Sequence, residues 1–153
     1  MNKILRFHGL RMTRESARVW SETQTAMMPL EPRNDVRNHS PDGFEWGYGG
    51  SGPAQLALAI ALALLEDNRA DALRVYQDVK WHFVAKLTGG AWTLEAAPVV
   101  AFISAQLNAY RERDILEGER EELRQERELE GPNDDARVRQ AEGDAYGVDN
   151  EPS

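Results

Sequence analysis

Cysteine is absent from the 153 residues, which excludes disulfides and thiolate metal sites and fits a cytoplasmic protein. Histidine is scarce: only His8, His39 and His82 occur, no two at ligand spacing, so no metal site is expected. No apolar run reaches the roughly 18 residues of a membrane span. The longest, Leu56 to Leu65, suits a buried helix. The opening segment Met1–Phe7 lacks the continuous apolar stretch that directs secretion. A basic excess is missing as well. Residues 1–110 carry 11 acidic and 11 basic side chains, and residues 111–153 carry 15 and 7, so the whole net charge of −8 lies in the last part. A neutral body offers no footprint for duplex nucleic acid, which demands a basic surface.

What is present is enough for one domain, with 41% apolar residues to build a modest core. Residues 3–30 read as short strands: Leu5 and Phe7 alternate with polar neighbours, and Ala17–Trp20 and Thr25–Met28 form two further β-like runs before Pro29. Residues 31–52 form a long loop, in which Ser40-Pro41-Asp42-Gly43 has type I turn chemistry at every position. A helix should start at Pro53 and run to about Asp67, apolar nearly all round and therefore central. A second follows the cap Asn68, with Tyr76, Val79, Phe83 and Leu87 as its buried stripe, and stops at Gly89-Gly90. Trp92 reads as an anchor between helices, and a third helix begins after Thr93 or at Pro98.

From Arg111 to Glu130 the residues are helix-forming and nearly all charged, and Leu116, Leu123 and Leu129 are too sparse for a coiled-coil seam. The expectation is an α+β domain over 1–110, a small antiparallel sheet of about three strands packed on two or three helices. A charged helical extension over 111–130 and an acidic disordered tail over 131–153 complete it.

The densest signal is Gly47-Tyr-Gly49-Gly50-Ser51-Gly52, four glycines in six positions running into the apolar helix. It matches the dinucleotide pattern G-x-G-x-x-G, but the next 35 residues read as helices and supply no second strand ending in an acid. Pro53 and Ala54 occupy the Lys and Ser/Thr positions of a Walker A loop, which excludes that chemistry too. The glycine loop of a protein kinase fails because the remaining kinase motifs do not fit this length. A generic anion-binding helix start survives, with Gly49, Gly50, Ser51 and Gly52 as backbone donors. The plainer alternative is that these glycines let the loop pass tightly beneath packed Trp46 and Tyr48. A nucleophilic triad built from His39 with Asp42 or Glu45 would have to arise within one turn, where such groups normally converge from distant segments. Trp81, His82 and Phe83 read as core and surface rather than as a stacking platform.

The run from Arg37 through His39, Ser40-Pro41-Asp42-Gly43, Trp46 and the glycines to Ala59 resembles the hallmark of a small family of unknown function found in bacteria, archaea and their phages or mobile elements. The likeness also takes in Tyr76–Trp81 and Trp92–Leu94 and covers about residues 4–105. It supplies no activity. The setting of such proteins implies an accessory role against a host defence component or a nucleotide signal. The leading expectation is a non-enzymatic binding module without cofactor or catalytic residue. Its loop would hold an anionic small molecule or nucleotide, with Arg37 and His39 at the site, Gly49, Gly50, Ser51 and Gly52 as donors, and Trp46 or Tyr48 stacking a base. Two alternatives compete. One is a protein–protein interaction (inhibitor) module whose acidic helix meets a host protein or a second copy of the chain; the other is a small hydrolase using His39.

Overall fold

The computed structural model describes residues 2–131 and Arg139. The chain divides into two compact units, Met1–Tyr110 and Arg111–Ser153. The first is α+β. Strands β1 (Arg6–Thr13), β2 (Ser16–Glu22) and β3 (Met27–Pro29) are followed by helices α1 (Ser51–Leu64) and α2 (Arg69–His82), strand β4 (Ala91–Glu95) and the start of α3 (Ala96–Glu130). The four strands form one antiparallel sheet in the order β3-β2-β1-β4.

The sheet is antiparallel as expected, with four strands where about three were read from the sequence. Trp92 is not in a linker: it lies on β4, opposite Gly9 of β1. A five-residue strand squeezed between a double glycine and a helix shows too little alternation to declare itself. Gly9 lies in the middle of β1. A Cβ there would come within 2.2 Å of the Trp92 ring, so glycine lets the indole lie flat on the strand. Phe7 and Val19 share the buried face with Trp92. The opposite face is polar, where Glu22 accepts from His8 Nε2 at 2.5 Å and Arg6 Nε donates to Glu95 at 2.7 Å.

Helix α1 is the centre of the domain, with eleven of its fourteen residues buried. It begins two residues before Pro53, with Gly50 as its cap. Asn68 caps α2 as expected, its side chain accepting from Asp71 N at 3.2 Å. Ala72, Val75, Tyr76, Val79 and Lys80 are the buried residues of α2, and a 3-10 turn at Val84–Lys86 follows it. Phe83 and Leu87, placed on that stripe by the sequence, are only partly buried beyond the end of the helix. Helix α3 starts at Ala96 and buries Ala96, Val99, Ile103 and Leu107.

Residues 111–130 are helical and exposed, with Ile115, Leu116, Leu123 and Leu129 among the exposed apolar side chains. The expected disordered tail, 131–153, lies outside the described residues apart from Gly131 and Arg139. No helix among the described residues is long and apolar enough to cross a membrane.

Candidate functional site

The loop over 31–50 has no regular structure, so its backbone groups must find partners elsewhere. Gln55 supplies four of them, and Arg33 and Trp46 anchor the two ends of the loop through their side chains. Arg33, in a left-handed conformation (φ 59), reaches Asp67 at 2.7 Å and Asp35 at 3.1 Å, which ties the start of the loop to the α1–α2 turn. Gln55, fully buried on α1, holds the middle. Its Oε1 accepts from His39 N at 2.8 Å and Ser40 N at 3.2 Å, and its Nε2 donates to Pro32 O at 2.5 Å and Arg37 O at 3.1 Å. Trp46 fixes the end, its indole donating to Gly89 O at 2.9 Å while Gly47 N donates to Val84 O at 3.1 Å.

Trp46 is therefore a core residue. It is buried, meets Trp92 edge-to-face at 5.6 Å, and carries the Arg11 guanidinium over its ring at 4.8 Å. No face of that ring is left for a ligand. Tyr48, the other aromatic expected to stack, is 52% exposed and lies against Gly50, where a Cβ would come within 2.3 Å of its ring. Gly49 makes the same allowance for Trp81, at 2.1 Å, and Gly52 for the Glu45 side chain, at 2.5 Å. Each of these glycines thus has a neighbour that requires it. The amide groups of Ser51 and Gly52 make no hydrogen bond within the described residues, and Ser51 is exposed.

The loop brings Arg37 and His39 to one hydroxyl. Arg37 donates to the Tyr76 oxygen at 3.2 Å, and His39 Nε2 lies 2.8 Å from it. Tyr76 is buried, and its own O–H needs an acceptor that Arg37 cannot be; it is donated to His39 Nε2, which leaves the imidazole proton on Nδ1. Burial, with the charges of Arg37 and then Lys80, holds the His39 imidazole below its ordinary value. Lys80, one helical turn beyond Tyr76, is buried. Its Nζ donates to Gly49 O at 3.3 Å and lies 4.4 Å from the centre of the Trp81 ring.

Neither Asp42 nor Glu45 pairs with His39. Both Glu45 oxygens are taken by Arg11, at 2.9 and 2.7 Å, and that contact lowers the Glu45 carboxyl below its usual range. An imidazole without a carboxylate to orient it, bonded instead to a buried tyrosine, lacks the relay a nucleophile would need. No group of three or more His, Asp or Glu among the described residues could hold a metal ion.

Of the residues expected at the site, Arg37, His39, Tyr48, Gly49, Gly50, Ser51 and Gly52 lie on this loop or at the start of α1, and Trp46 is turned into the core. Lys80 and Gln55, which the sequence reading did not single out, join Tyr76, read as core, and Trp81, read as core or surface rather than as a stacking platform, beside this loop. The available signal was Lys80 itself, which falls four residues after Tyr76 on the buried stripe of α2.

No curated protein and no solved structure matches this chain. Residues 7–105, which span the sheet, the pinned loop, all of α1 and α2 and the start of α3, match the model of a family of unknown function (DUF6166), and the chain belongs to that family.

Proposed function

We propose that the domain is a non-enzymatic binding module that takes a small anion where the glycine loop meets α2. The observation that carries this reading is Lys80. A lysine only 7% exposed is ordinarily paired, yet Lys80 has no carboxylate partner among the described residues, and neither has Arg37. The contrast within the same domain supports it. Arg6, Arg11, Arg33 and Arg69 each sit against a carboxylate, whereas Arg37 and Lys80, like the exposed Lys3, Arg14, Arg18 and Lys86, have none among the described residues; of these six only Lys80 is buried. A bound anion would supply the missing counter-charge, with Arg37 and Lys80 as charged donors and Ser51 and Gly52 N–H at the helix start. His39, bonded to Tyr76 rather than to an acid, favours binding over hydrolysis.

Lys80→Met tests it. Removing a buried unpaired charge while keeping the aliphatic stem is expected to leave stability unchanged or raised. The same change should abolish the stabilisation by inorganic phosphate or pyrophosphate, which for ligand at 100 times its Kd is about 2.7 kcal/mol in the parent. Thermal unfolding of both proteins with and without anion checks this. A Lys80→Met variant that is strongly destabilised without ligand would assign Lys80 to architecture, and no response of the parent to any anion would remove the reading.

A further inference from the structure

We infer that the anion at this corner is carried on a flat aromatic ring, that is, that the ligand is a mononucleotide whose base stacks on Trp81; the inference rests on the anion site just described. Trp81 is 60% exposed although it sits on α2, a helix with a buried face of its own. Its position is built rather than incidental. Gly49 is a notch for the ring, since a Cβ at that residue would stand 2.1 to 2.9 Å from three atoms of the indole. The backbone of the loop therefore backs the ring, Lys80 Nζ lies over it, and more than half of the residue's surface stays open to solvent.

The cation and the ring are adjacent in space as well as in sequence. Lys80 Nζ, 4.4 Å from the ring centre, also bonds the carbonyl of that same Gly49. One helical turn before Lys80 on the same face of α2 stands Tyr76, whose hydroxyl takes Arg37 and His39. Ring, buried ammonium and exposed guanidinium thus form one continuous corner, the combination that recognises a base and its phosphate together.

The other aromatics do not compete. Trp46 has no free face, and Tyr48 lies over Gly50, on the part of the loop where Arg11 and Glu45 already neutralise each other. Stacking on an indole does not distinguish one base from another, so the chemical class is a nucleotide rather than a particular base. One exposed ring beside the cations, in a domain whose charges balance, suits one nucleotide, not a strand of nucleic acid.

The experiment compares adenosine 5′-monophosphate with inorganic phosphate on the full chain, by calorimetric titration and tryptophan emission, in the parent, Trp81→Ala, Trp81→Phe and Lys80→Met. The nucleotide is expected to bind roughly 5- to 150-fold tighter than phosphate, the range set by stacking one base on one aromatic ring. It should quench tryptophan emission in the parent and not in Trp81→Phe. Trp81→Ala should bring the nucleotide down to the phosphate level while phosphate itself changes less than about twofold, and Trp81→Phe should fall between. Lys80→Met should lose both ligands.

Equal affinity of nucleotide and phosphate in the parent overturns the inference and leaves the anion site standing. So does a parallel loss of both ligands in Trp81→Ala and Trp81→Phe, or an oligonucleotide that binds more than about tenfold tighter than the mononucleotide. If neither small ligand binds the parent, the anion site falls and the inference with it.

Discussion

At the scale of single residues the domain depends on side chains that the helix pattern hides. Gln55 sits within an Ala/Leu run and is fully buried, and all four of its hydrogen-bonding positions are spent on the loop. Gln55→Leu keeps the volume and orphans two N–H and two C=O groups. The expected cost is about 3 kcal/mol, read as a fall of roughly 10 °C in Tm. A change under about 2 °C would mean that water replaces the glutamine without loss. His39 makes a pH prediction. Its folded value is depressed, chiefly by burial, so the unfolded chain takes up the proton first. The stability it contributes is whole above the ordinary histidine value of 6.5 and is lost as pH falls below it. Urea midpoints measured from pH 7.5 to 5.5 should therefore decline more steeply in the parent than in His39→Gln, and parallel curves would show that His39 does not titrate as described. Bound anion should reduce the difference, because the counter-charge favours the protonated ring.

At the scale of elements, what was legible followed from periodicity and caps. The apolar run of α1, the Asn68 cap and the β-like runs before Pro29 all specify structure within a short window. Strand β4 and the continuation of β1 through Gly9 were not legible, since each depends on a partner some 80 residues away. The glycines show the same limit. Sequence density marked the place, while the reason for each glycine is a particular neighbour brought in by the fold. Those neighbours give different expectations for substitution. Gly9→Ala meets a buried indole and Gly52→Ala meets the Cβ and backbone nitrogen of Glu45, which Arg11 holds. Neither obstacle can swing away, so each should cost about 1–3 kcal/mol. Gly50→Ala meets only Tyr48, half exposed and free to rotate outward, and should cost under about 1 kcal/mol. Denaturant unfolding of the three variants checks the order. A Gly50→Ala penalty as large as the other two would mean that Tyr48 is clamped where it lies.

At the scale of the whole molecule, charge and burial are divided at the same place. Every buried apolar side chain among the described residues falls between Phe7 and Leu107, and the charges of residues 1–110 cancel, while 111–153 carry the entire −8. The core that stabilises the first unit, and the corner with Arg37, His39, Lys80 and Trp81, are both built from residues before 111. Residues 111–130 bury nothing, and a helix of exposed charged residues draws only about 0.2–0.5 kcal/mol from each side-chain pair along it. A chain ending at Tyr110 should therefore unfold in one cooperative step, with a midpoint within about 4 °C of the full chain, and should hold anions with affinity unchanged to about twofold. Calorimetry and anion titration of the two lengths measure both quantities. Loss of folding would show that the core needs the later helix. A truncated chain that folds and binds no anion would move the functional weight to residues 111–153 and favour a partner protein, recognised by the acidic helix, over a small ligand at the glycine loop.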